Sequence, residues 1–370
     1  MTAESGGESG GRAPKVVAIA QPANLGDVIS CMPMAGIIKQ RWPNAKVILI
    51  GRPYTQVLVE ACANFDEFLD VDEVLTRPEV LKERGVDVFV NPFLVEALGQ
   101  AAHQASVPIR VGNLRRPRTV KWANRFIFQG SKQIPLHIAN LNLRHLRPIG
   151  IKAELTIPQL AELIGLSRIP PLRADLAALL DPQRFNLILH PKSNKNGREW
   201  PAAYWNQLID LLPAAQFKIF ITGQSHERDA LRAECPALVA RMGDGTERSA
   251  NGQVVDLMDR LDLPQLLAFI RHADGLVAAG TGPLHLAAAL GIYTLGLFPG
   301  RDRSNAVRWH PLGTQAEALS FRASCEPGPG RCPRSYAGEE CSCMTGITPA
   351  SVAQRVLARG ASNPLHEPST

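Results

Sequence analysis

The sequence predicts an α/β protein made of two doubly wound halves facing a central cleft. Three observations carry that expectation. Short β-branched runs alternate with stretches of helical spacing, a proline-rich break falls near the middle, and the same rhythm restarts after it. With 370 residues, 45% hydrophobic and 20% charged, the chain is longer than one ordinary domain and globular in composition.

In the first half, Lys15–Ala20 (KVVAIA), Lys46–Gly51 (KVILIG), Asp87–Asn91 (DVFVN) and Ile109–Gly112 (IRVG) read as strands. Between them, Asp27–Arg41, Thr55–Ala63 and Leu94–Ala105 read as helices, the first with Val28, Met32, Ala35 and Ile38 on one face. The break carries Pro158, Pro170, Pro171 and Pro182. Beyond it, Phe185–His190, Phe217–Thr222, Gly275–Ala279 and Tyr293–Phe298 are expected strands. Ala202–Leu212, Leu263–His272 and Pro283–Leu290 are expected helices. Alternation of this kind implies parallel sheets covered on both faces. The expected divisions are a tail at 1–14, a first domain at 15–165, a linker at 166–184, a second domain at 185–348, and a terminal helix and tail at 349–370.

No run of 18 apolar residues exists to span a membrane, and 1–14 lacks the apolar core of a secretory signal, so a cytoplasmic chain is expected. The net charge of +6 favours anionic partners without choosing among them. No zinc-finger, basic-zipper or aromatic-interleaved basic pattern appears, which argues against nucleic acid.

Four segments carry candidate chemistry. Asn24-Leu25-Gly26-Asp27 puts a carboxylate at the start of the first helix, where it serves either as a first-turn acid or as a general base for a hydroxyl. No G-x-G-x-x-G follows the first strand, so a dinucleotide oxidoreductase is disfavoured. The stretch from His190 to Pro201 gathers Lys192, Lys195 and Arg198 at a strand end, as a solvated charge run or a phosphate clamp. Gly280-Thr281-Gly282 opens a helix as an anion-binding turn, with His285 one turn further on. Arg110, Arg115, Arg116, Arg118, Lys121 and Arg125 form either an exposed basic loop or a grip on an anionic acceptor or membrane.

Three strings, N-L-G-D-V-I-S-C-M-P, S-N-K-N-G-R-E-W-P and G-T-G-P-L-H-L-A-A-A-L-G followed by R-W-H-P-L-G, resemble glycosyltransferase family 9, the ADP-heptose:lipopolysaccharide heptosyltransferases. The resemblance spans roughly 15–355. It implies a GT-B fold of two Rossmann-like domains and an inverting, metal-independent transfer from an ADP-sugar, with no further cofactor. Asp27 then matches the acceptor-activating base, with Asn24, Arg115, Arg116 and Arg118 on the acceptor side. Lys192, Lys195, Arg198, Gly280, Thr281, Gly282 and His285 fall on the donor side. Arg198 stands where relatives usually carry Lys, and Gly280 where the best-known members carry Asp, which weakens any specific claim for ADP-heptose. Implied partners are a nucleotide-sugar, an anionic glycan or glycolipid, and peripheral contact with the inner membrane. The helix Pro349–Arg359 is expected to cross back onto the first domain, as in GT-B enzymes.

Cys325, Cys332, Cys341 and Cys343 follow a C-x6-C-x8-C-x-C spacing that is not a zinc ribbon. Relatives that modify autotransporters hold iron with four cysteines in this region, so plain thiols and a structural metal both stand as readings. Cys31, Cys62 and Cys235 are expected to be core thiols. Two further readings of the whole chain are a sugar-nucleotide epimerase and a non-catalytic nucleotide-sugar-binding relative.

Overall fold

The computed structural model describes residues 13–130, 136–193, 198–242, 252–300, 304–322 and 342–361. The chain divides into two compact units, Met1–Arg168 and Ile169–Thr370. Each contains one parallel sheet.

The first sheet comprises β1 (Val16–Ala20), β2 (Lys46–Gly51), β3 (Glu67–Asp70), β4 (Val88–Val90), β5 (Ile109–Asn113) and β6 (Arg125–Ile127), in the order β3-β2-β1-β4-β5-β6. The second comprises β7 (Phe185–His190), β8 (Phe217–Ile221), β9 (Val254–Asp256), β10 (Gly275–Ala279), β11 (Tyr293–Pro299) and β12 (Ala316–Phe321), in the order β12-β11-β10-β7-β8-β9. The two orders are the same doubly wound pattern. The direction of winding reverses between β1 and β4 in one unit and between β7 and β10 in the other. Ligands of open α/β sheets bind beyond the strand carboxyl ends at such reversals.

The central strands are apolar runs because both of their faces are covered. Val17 to Ala20 are buried in β1, and every residue of β7 and β10 is buried. In the first unit Ala18, Ala20, Ile48, Ile50 and Phe89 pack with Leu98, Ala101 and Ala102 of the helix Glu96–Gln104. In the helix Leu25–Arg41, Gly36 lets the backbone approach Leu163 so closely that a Cβ would collide with the Leu163 carbonyl.

The second core centres on Trp200 and Trp205, whose rings meet edge-to-face at 4.8 Å. The Trp200 indole N–H donates to the Ile347 carbonyl at 2.7 Å, which ties the chain's late segment to this core. In the terminal helix Pro349–Ala361, Val352, Ala353 and Val356 pack into the Trp200–Trp205 core, where its amphipathic face finds an apolar partner. Cys31, Cys62 and Cys235 are buried free thiols. Among the described residues, no helix is long and apolar enough to cross a membrane.

Candidate functional site

In the first unit, the helix Leu25–Arg41 begins after a four-residue loop that follows the carboxyl end of β1. Asn24 is the N-cap, and its backbone N–H donates to Asp27 Oδ2 at 3.3 Å. Asp27 therefore holds the third position of a capping box, half-buried, where the partial positive charge of the helix start favours a carboxylate. A second layer braces this turn. Ser30 Oγ donates to the Asp27 carbonyl at 2.6 Å, and Asn142 Nδ2 donates to Ser30 Oγ at 3.0 Å. The Cys31 thiol accepts from Gln21 Nε2 at 3.2 Å, and burial pushes that thiol up to about 12, so it stays protonated. The Tyr54 hydroxyl donates to the Ala23 carbonyl at 3.2 Å. Burial holds that hydroxyl above its ordinary value, with Arg52 opposing and Asp27 adding to the shift.

In the second unit, two loops meet at the reversal between β7 and β10. One follows His190. Burial pushes the His190 imidazole below its ordinary value, and its Nδ1 lies 3.0 Å from Thr222 Oγ1 at the end of β8. Lys192 is buried, with Nζ 2.5 Å from Glu199 Oε2 and 2.8 Å from Glu234 Oε1. Burial alone would lower its ammonium, but the two carboxylates outweigh that and hold it above the ordinary range. Glu199 in turn accepts from the Ser193 N–H at 2.9 Å and the Ser193 hydroxyl at 3.1 Å. Lys192 and Glu199 thus pin both ends of the loop that carries Arg198, itself half-buried.

The other loop follows β10. Thr281 is the N-cap of the helix Gly282–Ala289, yet its side chain makes no capping bond. Its Oγ1 is buried and has no hydrogen-bond partner. A buried hydroxyl without a partner is uncommon, and here it sits beside the first-turn N–H groups that a helix leaves unsatisfied. The arrangement suits an anion. A side chain at Gly280 would crowd its neighbour, because a Cβ there would lie 3.0 Å from the ring of Phe298, which is fully buried in β11. His285 is buried, its ring 5.9 Å from that of Trp309.

The structure brings Lys192, Arg198, Gly280, Thr281, Gly282 and His285 onto these two loops and the helix that follows. Lys195, Cys325, Cys332 and Cys341 lie outside the described residues, while Cys343 is a buried thiol in the second core. Among the described residues no group of His, Cys, Asp or Glu could hold a metal. Of the first-unit basic residues, Arg110 turns inward, donating to the Trp122 carbonyl at 2.9 Å. Lys121 pairs with Glu96 at 3.2 Å, whereas Arg115, Arg116 and Arg118 are exposed. Sequence reasoning passed over Thr222, Glu199 and Glu227. Glu227 is buried after β8 and accepts from the Gln224 N–H at 2.8 Å. The Q-x-x-E spacing after the β8 strand was the available signal for it.

Two doubly wound parallel sheets of matching order are the two Rossmann-like halves of a GT-B fold. Comparison with known proteins narrows this. Residues 170–332 match the model of glycosyltransferase family 9 (heptosyltransferase). Lipopolysaccharide heptosyltransferase 3 of Escherichia coli strain K12 is 24% identical over 307 residues, covering 77% of this chain and 82% of that protein. A family 9 glycosyl transferase structure from Veillonella parvula superposes with a TM-score of 0.71 at 14% identity, over 94% of this chain and 98% of that one. The E. coli heptosyltransferase WaaC, solved with ADP, gives a TM-score of 0.66 at 16% identity, over 93% of this chain and 99% of that one. The chain is similar to the heptosyltransferases of glycosyltransferase family 9, by the family model over its second half and by its curated relatives.

Proposed function

We propose that the protein moves a heptose, or a related sugar, from an ADP-sugar to a hydroxyl of a lipopolysaccharide core or another bacterial surface glycan, with inversion. The observation that supports this most is the unpartnered, buried hydroxyl of Thr281 at the start of the helix Gly282–Ala289. A leaving diphosphate supplies the acceptor oxygen that this hydroxyl and the first-turn N–H groups of Gly282 and Leu284 lack.

In this reading Asp27 removes the proton from the acceptor hydroxyl as its oxygen attacks the anomeric carbon. The bond from that carbon to the diphosphate breaks on the opposite face, and ADP leaves with the electron pair. Arg198, with Lys195, meets the diphosphate charge, and a planar guanidinium suits two phosphate oxygens at once. Lys192 serves mainly through Glu199, holding the Arg198 loop in place. Gly280 and His285 border the donor, while Asn24, Arg115, Arg116 and Arg118 contact the acceptor.

The reading requires no divalent ion or other cofactor. Full turnover in chelator, with no metal detected by elemental analysis of the purified protein, is the expected result. Bound iron or zinc would instead assign a metal to the cysteine-rich segment. The central test is calorimetry with ADP-heptose against a panel of nucleotide-sugars. Preferential binding of ADP-heptose is expected. Preference for another sugar would mark a changed donor beside Gly280 and Phe298, and binding of none would overturn the transferase reading.

A further inference from the structure

The turn that carries Asp27 is held by more side chains than a helix start needs. The helix Leu25–Arg41 contains Pro33, which has no N–H for the Ile29 carbonyl four residues back. The helix start therefore lacks one of the bonds that would tie it to the turns that follow. Side chains restrain it instead, from two sides. Gln21 Nε2 donates to the Asp27 carbonyl at 3.4 Å, and the Gln21 backbone N–H is itself fixed to the Ile50 carbonyl of β2 at 2.8 Å. Ser30 Oγ donates to the same Asp27 carbonyl at 2.6 Å.

Asn142 completes the second side. It lies 112 residues further along than Ser30, in the helix Ile138–Leu143, between the buried Leu141 and Leu143. Its Nδ2 is 3.0 Å from Ser30 Oγ, 3.3 Å from the Ser30 carbonyl and 3.3 Å from Cys31 Sγ. By donating to the Ser30 oxygen, Asn142 leaves the single hydroxyl hydrogen of Ser30 for the Asp27 carbonyl. Gln21, Ser30 and Asn142 are only 3%, 3% and 5% exposed. Burying an amide costs desolvation, and a leucine of similar shape would pack there without that cost. Folding alone does not ask for an amide at this place. Aiming a turn does, because a hydrogen bond has a direction and apolar contact has none.

We infer that Asn142 is a positioning residue for the transfer reaction: through Ser30 it fixes the turn from which the Asp27 carboxylate meets the acceptor hydroxyl. That role rests on the reading of Asp27 as the base. A reacting group misplaced by about 1 Å loses on the order of a hundredfold in rate. Asn142 is buried and acts through another residue, so its loss belongs in kcat and not in donor binding.

The experiment is a double-mutant cycle on the full chain, read as ADP release from ADP-heptose to a lipopolysaccharide core oligosaccharide or, without it, to water. Asn142→Leu should lower kcat on the order of ten- to hundredfold, with the KM for ADP-heptose and the ADP affinity by calorimetry within about twofold. Ser30→Ala, a smaller change at the same relay, should lower kcat in the same way. In an Asp27→Asn background neither substitution should cost more than about twofold further, because the group they aim is gone. Thermal melts identify any variant that has not folded. Unchanged kcat in Ser30→Ala and Asn142→Leu, or an equal further loss in the Asp27→Asn background, overturns the inference and leaves Asp27 as the base. Full turnover by Asp27→Asn, or none by the unaltered chain, overturns the reading of the base and the inference with it.

Discussion

Thr281→Val removes one hydroxyl and keeps the side-chain shape, and its two effects should have opposite signs. In the free protein Thr281 Oγ1 is buried without a partner and makes no capping bond. Leaving such a group dry costs about 1–3 kcal/mol, so the valine should stabilise the second unit, by about 1 kcal/mol once imperfect packing is allowed for. That unit runs from Ile169 to Thr370, so the melting temperature should rise by about 2–4 °C. With a diphosphate present the same hydroxyl gains a charged acceptor, a bond contributing about 1.5–3 kcal/mol. ADP affinity should therefore fall roughly ten- to hundredfold. Calorimetry of ADP binding and a thermal melt on the same preparation measure both. A lower melting temperature with unchanged ADP affinity would refute the reasoning, because it would give the hydroxyl a structural partner and no ligand.

Asp27→Asn keeps a capping oxygen but loses the base; turnover should fall about 10²–10⁴-fold while donor affinity by calorimetry stays within twofold. Gly280→Asp must displace Phe298, whose ring would lie 3.0 Å from even a Cβ, so it should cost about 1–3 kcal/mol in urea unfolding, with Phe298→Leu relieving part of the loss. Burial lowers the His145 imidazole from 6.5 to about 4, so the folded state holds it neutral while the unfolded chain protonates it first. Its contribution is full above pH 6.5 and is lost as pH falls towards 4, about 3 kcal/mol in all, and urea midpoints across that window should flatten in His145→Phe. Lys192→Met leaves Glu199 without its closest cation and should weaken donor binding through a loosened Arg198 loop, by about tenfold in calorimetry, with Lys192→Arg restoring part.

The central strands were legible because burial on both faces writes them as unbroken apolar runs. Phe185–His190 and Gly275–Ala279 emerge in the structure with the bounds their sequences imply. The strands that sequence reading passed over, β3, β6, β9 and β12, are the four sheet edges. Edge strands need little apolar pattern: β3 reads EFLD and β6 reads RFI, each with one buried residue. β12 has no fully buried residue, and β9, though buried, is three residues long. The terminal helix shows the same limit from the other side. Its amphipathic pattern announced a helix, but which apolar surface would receive it depended on the Trp200–Trp205 core.

The site divides in the same way. Sequence alone determined that a carboxylate stands at the first helix start and a Gly-Thr-Gly turn at another, because local spacing dictates where helices begin. Only the tertiary structure decided what each group meets. It set Asp27 in a capping box, left the Thr281 hydroxyl without a partner and filled the space beside Gly280 with Phe298. It also committed the Lys192 ammonium to Glu199 and to Glu234, 42 residues further along the chain. Helix starts are written in neighbouring residues. Burial and pairing are settled by side chains that lie far apart in sequence and come together only when the sheets are wound.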